Sequence, residues 1–370
     1  MKKKSLKKIV ALGMAVCVAA MSLAGCSSGN DAKSAAPAAT ESVKADASGD
    51  SQGKGADASG NDWKWERKVT IVCPWGVGGG ADGTLRPLQS ELEEILGVPV
   101  EIVNVEGAGG ANGIDFTNKQ PADGYTYVLG TQSIIMLDLQ KILPIDFKEE
   151  FKPVSKLVHS ISLIASSKKA MEGKYTNFKE FIEYVKTHPQ ELTCGMLTAT
   201  GADSVSLKQT LAGGLGCDIT EVEKYVKVVN YSSGSELSAA MVGGHVNINI
   251  TGADEIKGLI DSGDIVPLIS MSEERMSSFP DIECTGEHGI DSNVGTWRGI
   301  FCRKDTPDEA VASMAAALEE AWNTPAYQEF MKNACYLDRP GYANADELQA
   351  LMDEEYATFE DYLKGIGVIK

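Results

Sequence analysis

Histidine occurs only four times in the 370 residues, and His159, His188, His245 and His288 show no spacing suited to a metal site or a catalytic triad. There is no Gly-x-Ser-x-Gly elbow and no Cys-x-x-Cys pair. These absences argue against the common hydrolase readings and against a structural zinc. Basic residues are outnumbered, 34 Lys and Arg against 52 Asp and Glu, for a net charge of −18. A chain of that sign suits neither nucleic acid nor an anionic membrane surface. The apolar run Ile9 to Leu23 has 15 residues, short of the roughly 20 that span a bilayer.

That run is nevertheless informative. Five lysines lie between Met1 and Lys8, and Leu23-Ala-Gly-Cys26 closes the stretch. A charged start, a short apolar middle and small residues before a cysteine read as a lipoprotein signal peptide over 1–25. Cys26 is then the lipidated residue; the plainer reading is an ordinary signal with a chance cysteine. Cleavage would leave a mature net charge of −23. Residues 26–62 are small and polar and cannot bury enough surface to offset their ordering entropy, so a flexible tether is expected. At about 5–6 Å × √n it would reach roughly 30–35 Å from the lipid. The location expected is extracytoplasmic: the outer face of the cell membrane, toward which the long tether and lysine-rich signal lean, or a periplasm. No ATP or nicotinamide pool is available there.

From Trp63 the chain changes character. Val69–Pro74 reads as a buried strand, followed by Trp75-Gly-Val-Gly-Gly-Gly80 and a helix with Leu85, Leu88, Leu92, Ile95 and Leu96 on one stripe, stopped by Gly97. Further strands are read at 98–105, 125–129, 157–166, 192–196, 226–231, 246–250 and 297–303. Helices are read at 178–185, 307–322, 325–332 and 345–363. The alternation predicts parallel sheets in two α/β lobes, lobe one from 64–160 plus 290–370 and lobe two from 161–289. Cys73, Cys194, Cys217, Cys284, Cys302 and Cys335 leave room for one disulfide that the sequence does not pair.

The loops Trp75–Asp82, Glu106–Asn112, Thr131–Ser133 and Thr198–Ser204 each end a strand and open a helix, where α/β sheets bind ligands and helix N-termini favour anions. Gly76-Val-Gly78-Gly-Gly-Ala81 formally fits a dinucleotide fingerprint with Glu106 as the ribose acid. An exported chain meets no nicotinamide pool, which speaks against it.

Several motifs together carry a specific resemblance. Val72-Cys-Pro-Trp-Gly-Val-Gly-Gly-Gly-Ala-Asp82 resembles the first-strand motif of the substrate-binding receptors of tripartite tricarboxylate transporters, the Bug receptors. In the same order come Gly107-Ala-Gly-Gly-Ala-Asn-Gly113, Asp123-Gly-Tyr-Thr126, Gly130-Thr131, Asn230-Tyr-Ser-Ser-Gly-Ser235, Gly243-Gly-His-Val246 and Trp297-Arg-Gly-Ile-Phe301. The resemblance implies a two-lobe periplasmic-binding-protein fold (a Venus flytrap, type II-like). Such a receptor captures a small organic carboxylate for membrane transporter subunits, without catalysis or cofactor. An exported α/β enzyme acting on a carboxylate is the alternative.

Carried over by position, the resemblance implies a cleft lined by Trp75, Gly78, Gly79, Gly80, Asp82, Thr131, Gln132, Ser133, Thr198, Thr200, Ser204, Tyr231 and Gly234. Thr251 stands where many members carry an aspartate that would face a ligand ammonium or hydroxyl, a departure that argues against an amino acid ligand. Trp75 and Trp297 read equally as core aromatics. Asp82 reads as a ligand contact or as the N-cap of a helix starting at Thr84. Arg298 reads as a bidentate partner for a second carboxylate or as one half of an ion pair.

Overall fold

The computed structural model describes residues 63–196, 201–231, 234–292, 295–339 and 341–370. The expected signal peptide, Cys26 and the expected tether lie outside them. In chain order the strands are β1 (Val69–Cys73), β2 (Val100–Asn104), β3 (Thr126–Gly130), β4 (Phe151–His159), β5 (Ser162–Ser167), β6 (Thr193–Met196), β7 (Lys227–Asn230), β8 (Ile248–Gly252), β9 (Ile265–Ser270), β10 (Trp297–Arg303) and β11 (Ala343–Asn344). They form two sheets, ordered β11-β4-β10-β3-β1-β2 and β7-β6-β8-β5-β9.

Each sheet is covered on both faces, as the apolar strands require. In β1, Val69, Ile71 and Cys73 meet Leu85, Leu88 and Leu92 of the helix Gly80–Leu96, with Met314 and Leu318 beyond. Val72 points the other way, toward Ile114, Ile135, Phe301 and Leu348. In the second sheet Ile164, Cys194, Ile248 and Leu268 pack on Phe178, Phe181, Ile182 and Val185 of the helix Phe178–Thr187. Burying four such side chains stabilises by about 1.5–3 kcal/mol each. That helix starts cleanly because the Asn177 side chain accepts the Glu180 N–H.

Most expected strands are present with ends shifted by one or two residues. Two expectations need correction. The run 157–166 is not one strand: β4 ends at His159, Ser160 and Ile161 cross to the other sheet, and β5 begins at Ser162. Nor are the sheets purely parallel. β10 runs antiparallel to β3 and β4, and β5 antiparallel to β8 and β9. The cause is geometric. The chain leaves the first sheet at the end where β4 finishes and re-enters at that same end, so β10 must run the opposite way.

The two crossings are tied together. Ser160 N–H donates to the Thr296 carbonyl at 3.0 Å, and Thr296 N–H donates to Ser160 Oγ at 3.3 Å. Their approach is so close that a Cβ on Gly295 would lie 1.7 Å from the Ser160 carbonyl oxygen. The six cysteines of the folded part are all free. Among the described residues no helix is long and apolar enough to cross a membrane.

Candidate functional site

Helices begin at Gly80, Gln132, Ala202, Gly234 and Ala253, and residues at or next to the first four of these starts line one cleft between the sheets. The first-sheet side is built on the glycine loop after β1. There Asp82 Oδ2 accepts the Gly78 N–H at 3.0 Å, and Asp82 Oδ1 accepts Arg86 Nη2 at 2.8 Å and Asn104 Nδ2 at 3.0 Å. Burial would raise the Asp82 carboxyl pKa, but these donors outweigh it and hold it below the usual value. Asn104 Nδ2 also donates to the Trp75 carbonyl at 2.9 Å, pinning the start of the loop.

This internal bonding takes up part of the loop's own N–H donors. Gly78 N–H is taken by Asp82, and Gly79 N–H donates to the Gly76 carbonyl at 3.3 Å. The helix Gly80–Leu96 has no side-chain cap. Its first-turn N–H groups, at Gly80 and Ala81, have no earlier carbonyl in the helix to bond, and both residues line the cleft. That end of the helix carries a partial positive charge of about half a unit. Opposite it, Thr131 caps the helix Gln132–Leu139 by accepting the Ser133 N–H at 3.1 Å, and both Thr131 and Ser133 face the cleft. The cleft encloses about 550 Å³ counting its open mouth, and its wall also includes Trp75, Asp203, Gly234, Glu255, Thr296 and Arg298. An adjoining hollow shares Trp75, Ser133 and Asp203 and is walled by Met136, Leu137, Ile142 and Tyr231.

Arg298 sits on β10 with only 2% of its side chain exposed. Its Nη1 donates to Asp254 Oδ2 at 3.0 Å and its Nη2 to Glu255 Oε1 at 3.0 Å, both carboxylates belonging to the helix Ala253–Asp261 of the other sheet. Arg298 Nη1 also donates to the Tyr336 hydroxyl, which donates in turn to Asp254 Oδ2 at 2.7 Å. Burial alone would lower the guanidinium pKa; the adjacent carboxylates push it up. Glu255 is shifted upward by burial and by Asp254, against the pull of Arg298. Burial lifts the Asp203 carboxyl to about 6.

Of the residues expected from sequence, Trp75, Gly79, Gly80, Thr131, Ser133, Gly234 and Arg298 come together on this wall. Gly78 lies on a neighbouring hollow with Gly79 and Gly234, and Tyr231 on the apolar annex. Four others point elsewhere. Asp82 ties the loop from inside the helix, which begins at Gly80 rather than Thr84. Gln132 Nε2 donates to the Gly295 carbonyl at 2.9 Å, bracing a crossing. Ser204 Oγ donates to Met196 Sδ at 2.7 Å, and Thr251 Oγ1 donates to Glu255 Oε2 at 3.1 Å. Thr198 and Thr200 fall outside the described residues. Trp297 is a core aromatic, its Nε1 donating to Glu355 Oε2 at 2.8 Å. Arg298 reaches the cleft as an ion-paired side chain rather than a free cation.

Asp203 and Glu255 were not singled out from the sequence. First-turn acids ordinarily complement the helix dipole, which hides them. The available signal was their position, each two or three residues past a glycine that ends a strand-to-helix loop.

Comparison with known proteins places this architecture. Protein BugT of Bordetella pertussis is 25% identical over 305 residues, covering 81% of this chain and 90% of BugT. The Rhodopseudomonas palustris protein Rpa4515, solved with adipate, superposes with a TM-score of 0.72 at 23% identity, over 80% of this chain and 96% of that one. MatC of R. palustris, solved with bound malate, gives a TM-score of 0.69 at 24% identity, over 80% and 98%. At these identities the structural matches establish the fold, that of two-lobe periplasmic solute-binding proteins. The family model for the tripartite tricarboxylate transporter family receptor matches residues 84–368, most of the folded part, and this chain therefore belongs to that receptor family.

Proposed function

We propose that the chain is an extracytoplasmic receptor, anchored by lipid on Cys26, that captures a small organic carboxylate in the cleft and presents it to membrane transporter subunits without transforming it. One observation carries the reading: the uncapped N-terminus at Gly80 and Ala81 opens into the cleft opposite the hydroxyl-bearing residues Thr131 and Ser133. Such neutral donors hold carboxylate oxygens and penalise a ligand that leaves them unpaired, by about 1–3 kcal/mol each. Support comes from the relatives solved with malate and adipate. The apolar annex beside Trp75 suits a ligand with a hydrocarbon or aromatic body.

The test is a thermal-shift screen of the purified protein against organic acids, sugars, peptides and cations. A true ligand at 100-fold excess over its dissociation constant adds about 2.7 kcal/mol of stability. Shifts by sugars or peptides with none by any carboxylate overturn the ligand class. Recovery of a chemically altered ligand after prolonged incubation makes the protein an enzyme instead. Anchoring is tested separately, since Cys26→Ala should release the protein from the membrane fraction while leaving its melting temperature unchanged.

A further inference from the structure

The cleft is itself acidic. Among the described residues its wall carries two carboxylates, Asp203 and Glu255, and a single cation, Arg298. That cation is already committed to Asp254 and Glu255, both at 3.0 Å. Asp203 makes no ion pair and no hydrogen bond among the described residues, and it borders both the main cleft and the apolar annex. Glu255 is seated between two glycines. A Cβ on Gly80 would meet first Arg298 Nη2 and then Glu255 Oε1 at 2.5 Å, and one on Gly234 would meet Glu255 Oε2 at 2.6 Å. Gly234 thus leaves space that the carboxylate fills, and Gly80 leaves space that it shares with the Arg298 guanidinium.

Counting Asp254, three carboxyl groups surround the cleft against one guanidinium. A ligand bearing only carboxylates would enter a site of its own sign. The donors suited to a carboxylate, Gly80 and Ala81 N–H, lie on the first-sheet side, whereas Asp203 and Glu255 come from helices of the second. We propose that the captured ligand is zwitterionic, its carboxylate held at the helix start of the first lobe and its protonated amine docked between Asp203 and Glu255 of the second. A ligand carrying both groups bridges the lobes. Thr251 does not argue against this: its hydroxyl donates to Glu255, which supplies a carboxylate from the next turn of chain. The inference rests on the carboxylate-capture reading and narrows it.

Calorimetric titration of the full-length protein with matched pairs decides it: succinate with aspartate, adipate with 2-aminoadipate, and valerate with 5-aminovalerate. The amine-bearing member should bind at least tenfold more tightly in one pair or more, and Asp203→Asn should reduce that preference below threefold. If Asp203→Asn fails to fold by circular dichroism, Glu255→Gln is read in its place. Acids without the amine binding as tightly as their partners, or a preference that survives the variant, overturns the zwitterion assignment and leaves carboxylate capture standing. A panel in which no acid of either kind binds removes the capture reading and this inference with it.

Discussion

Arg298 and Asp254 face each other from different sheets, Nη1 to Oδ2 at 3.0 Å, with 2% and 4% of their side chains exposed. Tyr336 closes the triangle, donating to Asp254 and accepting from Arg298, and its oxygen lies 3.2 Å from Thr84 Oγ1. A charge buried that deeply stays compatible with folding because each partner answers the other. The pair sits next to the crossing, since the Ala253 N–H donates to the Ile161 carbonyl at 3.0 Å.

Removing Asp254 leaves Arg298 with only Glu255 and a hydroxyl. Asp254→Ala should destabilise the protein by about 3–5 kcal/mol in urea titration, the usual consequence of breaking a buried pair. A loss below about 1 kcal/mol would mean that water reaches the guanidinium.

Two glycine substitutions should act oppositely. Gly295→Ala sets a Cβ against the Ser160 carbonyl and cannot be relieved by a side-chain rotation. It should cost more than about 2 kcal/mol, as overpacking at a rigid backbone does. Gly258 lies inside the helix Ala253–Asp261 with open space where its Cβ would go. Gly258→Ala should stabilise by about 0.5–1 kcal/mol. Equal thermal shifts for the two would refute the close approach at the crossing.

Glu355 gives a pH dependence of definite sign. Burial pushes its carboxyl up to about 7 from 4.5, opposed by the Trp297 N–H. The folded state holds a proton that the unfolded chain releases, so stability falls as pH rises from about 4.5 to 7. Glu355→Gln keeps an acceptor for Trp297 and abolishes the titration. It should be more stable than the parent by roughly 2–3 kcal/mol at pH 8, with the gain vanishing near pH 4. Parallel melting curves of parent and variant across that range would contradict the burial.

Asp82 behaves in the opposite sense. Its carboxyl is held below 3.8, so its contribution is present above about pH 4 and disappears as pH falls through the folded value. Asp82→Ala frees the Gly78 N–H and unpins Arg86 and Asn104. The loop before Gly80 should loosen, and affinity for whichever acid the parent binds should fall about tenfold, an effect read at pH 7 by titration. Unchanged affinity would show that the loop holds its shape without this side chain.

Sequence alone conveyed the strand-loop-helix grammar because apolar runs and glycine breaks are local signals. β10 was read at Trp297–Arg303, its observed extent. The crossing at Ser160–Ile161 was invisible because the apolar run continues straight through it while the chain changes sheets. Sheet polarity was misjudged because it depends on where the chain re-enters, a non-local property. At the site the glycine and hydroxyl residues were legible, since their types suit anion binding. Asp203 and Glu255 were not, because a first-turn acid looks the same whether it faces solvent or a cleft. The pairing of Arg298 required knowing that residues 254 and 298 meet.

The position of β10 between β3 and β4 has a consequence for how the molecule comes into being. Strands β1 to β4 are complete by residue 159, yet the strand that joins them begins at 297. Until that late segment arrives, the piece β3-β1-β2 keeps an open edge and β4 has no partner strand, and the loop to be closed is long, which slows the final step. The second sheet, contained between residues 162 and 270, has no such dependence. The first sheet therefore becomes whole only when the C-terminal portion of the chain is delivered.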